Sequence, residues 1–249
     1  MDENTPDTTK ENPRVEHYLV DEQEPWVMNL VVRAEKSGGA IFEGDLLEAS
    51  AKAVVGLIER SRGERELAEA VERWEAGRIR KLLRRARGSK WERTGEVYFV
   101  EQSVRSAQVR AFLPSAMANQ PEALRGLQLE GLVTETSFGD EKTDEEGGGI
   151  VVLVNPLVAM TSAKKAVQGA HGAQLVARSI GFESGAVRID RIRVRVGEIE
   201  EWENALKIGE MGELANWVVV HDAGFTEVAP GTLTALGWFD VSRLPGETG

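Results

Sequence analysis

The sequence predicts an α/β fold, a mixed β-sheet flanked by helices, on three observations. Apolar runs rich in β-branched residues open each half of the chain, at Pro25–Arg33 and Ile150–Val154, and such runs favour buried strands. Each is followed by apolar residues spaced three and four apart, the pattern of a helix with one buried stripe. A turn-rich hairpin then closes the second half, from Trp217 to Phe239. Strands alternating with amphipathic helices pack as layers of this class.

Residues 1 to about 22 are polar and acidic, carry two prolines and show no apolar periodicity, so a disordered arm is expected there. Pro25–Arg33 reads as a strand, and Ser37-Gly38-Gly39 as a flexible loop. Leu46, Leu47, Ala51, Val54, Val55 and Ile58 mark the first helix. From about Glu64 to Arg87, Leu67, Ala70, Val71, Trp74, Leu82 and Leu83 predict a second, with a break or kink at Gly77. Its second half bears the one dense cationic block: Arg78, Arg80, Lys81, Arg84, Arg85, Arg87 and Lys90. A solvated helix face paired with the abundant carboxylates explains that block as well as RNA binding does. Val97–Val100 and Gln108–Leu113 are strand candidates, the second ended by Pro114. Pro121 suits the first turn of a short helix running to Leu129.

Residues 138–149, rich in Asp, Glu and Gly, read as a linker. Beyond it come the strand Ile150–Val154 and a helix from Ala163 to about Ile180. Arg188–Val196 alternates with period two from Ile192 onward, a strand with one wet, basic face. Glu198–Ile208 is helical, with Ile199, Trp202, Leu206 and Ala205 inward. The expected domains are therefore an arm (1–22), a first α/β half (23–138), a linker (139–149) and a second half (150–249). Strand, loop and helix at 26–61 recur at 150–180. Two arrangements fit: a diverged tandem copy forming a pseudo-dimer within one chain, or one domain with a large insertion.

With 249 residues, 41% of them hydrophobic, the chain is long and apolar enough for a sizeable core. It contains no cysteine, which excludes a disulfide framework and a thiolate metal site. His17, His171 and His221 fit no zinc-ligand spacing, so no metal is expected. No phosphate-binding Walker loop, dinucleotide glycine fingerprint or Ser-centred nucleophile elbow occurs. The opening Met-Asp-Glu-Asn-Thr-Pro-Asp is the opposite of a signal peptide, and no apolar run approaches the ~18 residues that span a bilayer. A soluble, cytoplasmic protein without membrane contact is expected. The net charge of −11 argues against broad, non-specific nucleic-acid binding but leaves room for a local basic patch.

Chemistry-bearing residues gather at two places. Asp222-Ala223-Gly224 and Pro230-Gly231 mark turns at strand ends, crowding Asp222 with Thr226, Thr232 and Thr234. Ordinary hairpin chemistry, with Asp222 capping its own backbone, accounts for the same residues. In the helix after Val154, Lys164, Ala166, Gln168 and His171 share a spacing that places Lys164 and His171 two turns apart on one face. A lone helix histidine is also a common structural residue.

The hairpin resembles the closing signature of the type 2 peptidyl-tRNA hydrolases, in which a valine-rich strand runs into Asp-Ala-Gly-x-Thr-x-(Val/Ile)-x-Pro-Gly-Thr-x-Thr. Asp222, Ala223, Gly224, Thr226, Val228, Pro230, Gly231, Thr232 and Thr234 fall in register. Phe225 stands where that family usually has a basic residue. Lys164, Ala166, Gln168 and His171 match the family's Gly-Lys-x-Ala-Ala-Gln-x-x-His-Ala helix, with Ser162, Ala163 and Lys165 in place of its glycines. The likeness covers about residues 150–239; in the first half, Val27–Arg33 and Trp74-Glu75-x-Gly77 are similar to family segments, without the lysine motif or the Asp-Ala-Gly hairpin.

This resemblance implies a cofactor-free hydrolase that cleaves the ester between a peptide and the tRNA 3′ end by water attack. It implies catalytic roles for Lys164, Asp222 and Thr234, and substrate contacts for His171 and Thr226. Asp222 would position the water or a neighbouring donor, and Lys164 would stabilise negative charge on the ester oxygen or an adjacent phosphate. Thr226 and Thr234 would hydrogen-bond substrate or hold Asp222 in its rotamer, and His171 would touch substrate or only fix the hairpin. The implied partner is tRNA, and since the family is dimeric, an intrachain pseudo-dimer or a homodimer. The alternative is a catalytically silent relative, an RNA- or protein-binding module in which the hairpin survives because it shapes the fold.

Overall fold

The computed structural model describes residues 24–35, 39–136, 148–224 and 227–241. The expected acidic arm and most of the expected linker lie outside them. In the first unit, β1 (Trp26–Arg33) crosses through α1 (Glu43–Ser61) and α2 (Arg65–Glu75) to β2 (Arg80–Ala86), which pairs parallel to β1. A parallel pair requires such a crossover. The short α3 (Ser89–Thr94) leads to the hairpin β3 (Phe99–Val104) and β4 (Ala107–Phe112), and β4 lies antiparallel against the other side of β1. The two-residue β5 (Ser115–Ala116) adds to β1, and α4 (Glu122–Arg125) follows.

The second unit repeats the plan. β6 (Gly149–Val154) runs through α5 (Ser162–Ile180) to β7 (Ile192–Val196), parallel to β6. α6 (Ile199–Glu210) leads to the hairpin β8 (Val218–His221) and β9 (Leu233–Asp240), with β9 antiparallel to β6. The sheet orders are β2-β1-β4-β3 and β7-β6-β9-β8, with matching strand directions. The chain is thus α/β, as expected, with a mixed sheet in each unit.

Strand alternation decides what each sheet faces. Met28, Leu30 and Val32 point into a core shared with α1, while Val31 points the other way, onto Ala86, Trp91, Phe112 and Leu124. In β6, Ile150, Val152 and Val154 join that same shared core, and Leu153 turns to Trp202, Ala205 and Leu236. One continuous core therefore spans both units, with α1 and α5 packed together between the sheets. Lys165 Nζ meets Glu43 Oε1 at 2.9 Å where the helices start, and Arg62 pairs with Glu183 just beyond their ends. Contacts at both ends link residues 122 and 121 apart in sequence, so the two helices run in the same direction. Two glycines let α5 settle closely on its sheet. A Cβ at Gly169 would stand 2.5 Å from Val194 Cγ1, and one at Gly172 2.7 Å from Val152 Cγ1.

Several expectations need correction. Residues 80–86, expected to continue a helix, form strand β2, because the chain turns after Gly77 through Ile79 at φ 43° and then pairs with β1. The basic block therefore lies along an edge strand, where charge also discourages pairing with another chain. The helix at Pro121 stops at Arg125, and residues 189–191 form a 3₁₀ turn before β7. In α6 the buried face is Trp202, Ala205 and Gly209, and Ile199 is 53% exposed. Gly209 has no Cβ because Trp217 lies where one would be. Among the described residues, no helix is long and apolar enough to cross a membrane.

Candidate active site

Two local features aim the candidate residues. The first is the start of α5, where Thr161 caps the helix by accepting from the Lys164 backbone N–H. Glu227 accepts from both the Thr161 N–H (2.8 Å) and its Oγ1 (2.7 Å), placing a carboxylate at the positive end of the helix. The second is the turn after β8. Gly224 takes φ 78°, with Pro230 packed where a Cβ would be, and Gly231 takes φ 79°. The Asp222 N–H donates to Thr232 O and its C=O accepts from Gly231 N–H, fixing the residue at the strand end.

These features bring Lys164 and Asp222 together. Lys164 Nζ lies 2.5 Å from Asp222 Oδ2, with the two side chains 10% and 8% exposed. Gln168, one turn beyond Lys164, donates Nε2–H to the same oxygen at 2.7 Å. Asp222 Oδ1 accepts from the Gly224 N–H at 2.8 Å, so the aspartate does cap its own turn while meeting the lysine. Thr234 Oγ1 donates to Gln168 Oε1 at 2.7 Å. Asn155, at the end of β6, braces β9 through Leu233 O and Thr234 O.

Thr234, expected to hydrogen-bond substrate or hold Asp222 in its rotamer, is wholly buried. Its only route to Asp222 among the described contacts runs through Gln168. His171, expected to touch substrate or to fix the hairpin, presents Nδ1 to Lys81 Nζ at 2.7 Å, across the boundary between the units. Thr226 and Phe225 lie outside the described residues. Gln168 carries the link between Thr234 and Asp222; its place in the helix spacing was the signal that would have found it.

Lys81 had no signal beyond its charge. It comes from β2 of the first unit, donates to Gln174 Oε1 at 2.6 Å and lies over the Trp74 ring. Burial pushes its ammonium well below the ordinary lysine value, against a pull upward from Glu75. Burial likewise holds the His171 imidazole well below its usual range, aided by the charges of Lys81 and Lys164. Gln174 and Arg178 both reach Glu75, completing a polar seam from Lys164 across the boundary. A cleft of about 630 Å³ lies along it, walled by Gly77, Arg78 and Ile79 from the first unit and by Gln174, Arg178 and Ala223 from the second. Ala223, the chain neighbour of Asp222, lines the cleft, whereas Lys164 and Asp222 themselves do not.

No protein-family model and no curated protein matches the chain. The fold and site define it physically: a two-sheet α/β chain in which a helix-start lysine meets a strand-end aspartate.

Proposed function

We propose that the chain hydrolyses the ester joining a peptide to the tRNA 3′ end. The observation that carries this reading is the meeting of Lys164 Nζ with Asp222 Oδ2, two groups 58 residues apart, in the motif positions where the resemblance puts them. Water would add to the ester carbonyl carbon, the carbonyl electrons moving to oxygen. Collapse would break the bond to the ribose oxygen, which takes up the proton from the water. The ammonium of Lys164 supplies the preorganised positive charge that such an oxyanion requires. A carboxylate offers about four acceptor positions. Among the described residues, Lys164, Gln168 and Gly224 occupy three of those on Asp222, and the remaining position on Oδ1 would orient the attacking water. No metal or cofactor enters these steps.

The silent-relative reading draws on the same geometry: a mostly buried pair in which each partner neutralises the other also serves as a clip between α5 and the hairpin. Incubation of the purified chain with a peptidyl-tRNA, beside Asp222→Ala, separates the two. Turnover in the wild type that is lost in the variant supports the hydrolase. Equal turnover in both removes Asp222 from the mechanism, and none in either favours the silent relative.

A further inference from the structure

The matching topology gives the Lys164–Asp222 pair a counterpart in the first unit. Lys164 is the third residue of α5, and the third residue of α1 is Asp45. Asp222 stands at the β8–β9 connection, and at the β3–β4 connection stands Arg105. Arg105 Nε donates to Asp45 Oδ1 at 2.7 Å, and Ser106 donates to Oδ2 through its N–H (3.0 Å) and Oγ (2.6 Å). The ion pair is thus repeated with its charges exchanged: the helix carries the acid and the hairpin the base. That exchange removes the ammonium from the helix start, and with it the chemistry read for the second unit.

What the first unit has instead is a cleft of about 570 Å³ at this place, lined by Arg33, Arg85, Arg87 and Arg105, with Glu35 as the one acidic residue in its wall. Arg33 is bound to Glu35 and Gln108, and Arg85 to Glu130 O. Arg33, Arg87 and Arg105 are exposed; Arg33 and Arg105 already meet Glu35 and Asp45, and a guanidinium is a planar donor fork suited to phosphate oxygens. Four guanidiniums in one cleft stand against a chain whose net charge is −11. Because α1 and α5 start side by side, where Ser162 Oγ donates to Glu43 Oε2 at 2.5 Å, the Lys164–Asp222 and Asp45–Arg105 pairs lie at the same end of the molecule.

We infer that the arginine cleft of the first unit binds the phosphate backbone of the RNA whose acylated end is cleaved at Lys164 and Asp222. This rests on the proposed hydrolase function. The copy that lacks the chemical pair serves as the grip for the substrate, and it confines nucleic-acid affinity to one place on an acidic protein. Phosphate contacts supply affinity and register without reading sequence.

The test uses the full chain and the double variant Arg33→Ala/Arg87→Ala, both exposed positions outside the chemical site. Binding of deacylated tRNA is followed by fluorescence anisotropy from low to high salt, with pyrophosphate as a second probe. Cleavage is measured separately on a short acylated CCA oligonucleotide. Loss of two phosphate contacts is expected to weaken tRNA binding about tenfold or more at physiological salt. It should also flatten the slope of log K against log salt by roughly 1.4–1.8, at about 0.7–0.9 per contact. Cleavage of the short substrate should be unchanged. If no substrate is cleaved by either protein while tRNA binding still weakens, the grip stands and the hydrolase reading falls. Unaltered tRNA affinity and salt slope would overturn the inference, as would loss of pyrophosphate binding alone, which would mark a small-phosphate site.

Discussion

Removing one member of the Lys164–Asp222 pair should cost far more than removing both. At 2.5 Å and an effective dielectric of ~20, the gross attraction is roughly 6–7 kcal/mol. Desolvation of two side chains about nine-tenths buried offsets several kcal/mol of it per ion. Lys164→Met leaves the Asp222 charge with only Gln168 and the Gly224 N–H, and Asp222→Asn leaves a buried ammonium facing a neutral amide. Each single change is expected to destabilise by about 3–5 kcal/mol, because it strands a buried charge. The double variant strands none, so it should fall short of the summed losses by about 2–3 kcal/mol. Urea unfolding of the four proteins, with equal m-values required, measures that coupling. Additive losses within about 0.5 kcal/mol would refute the pair as a coupled buried contact.

Thr234→Val should cost about 1–3 kcal/mol in urea unfolding, since Gln168 Oε1 loses its donor in a dry site, and should lower the cleavage rate through misplacement of Asp222. Acidification should destabilise the fold through His171. Its folded pKa is depressed, so between that value and the unfolded ~6.5 the unfolded chain binds the extra proton, and stability falls as pH falls, by at most about 1.4 kcal/mol per pH unit. His171→Gln should flatten that part of a stability–pH curve, whereas an identical slope would place the titration elsewhere. Gly169→Ala should cost at least about 1–3 kcal/mol in thermal or urea unfolding, because Val194 Cγ1 stands 2.5 Å from the added Cβ.

Much of the fold was written in short-range pattern. β1, β6, α1 and α5 were legible because each buries a long apolar stripe whose period names its structure. β2 was not, since Arg, Lys and Leu are all good helix formers and Leu82-Leu83 continues the helical spacing from Trp74. Only its parallel pairing with β1, a contact invisible in local sequence, makes it a strand. Ile199 misled for a related reason: it fits the helical stripe of α6 but precedes the turns that actually meet Trp217 and Leu153.

The site divides along the same line. The meeting of Lys164 and Asp222 was implied by the family resemblance, whereas the contacts of Thr234 and His171 depended on depth and on a partner from the other unit. Nothing near His171 in sequence announces Lys81, 90 residues earlier. Nor does spacing reveal that Asp45 and Arg105 repeat the pair with opposite signs, because the repeat lies in strand order and not in residue identity.

In the proposed reaction Lys164 stabilises charge developing on the substrate and is more than a clip. The most direct test is single-turnover cleavage of a peptidyl-tRNA by saturating wild-type protein and by Lys164→Met shown to be folded, with tRNA affinity measured alongside. The account predicts a rate constant lower by about 10²-fold or more, with affinity for tRNA within about twofold. Equal rate constants in the two proteins would contradict it.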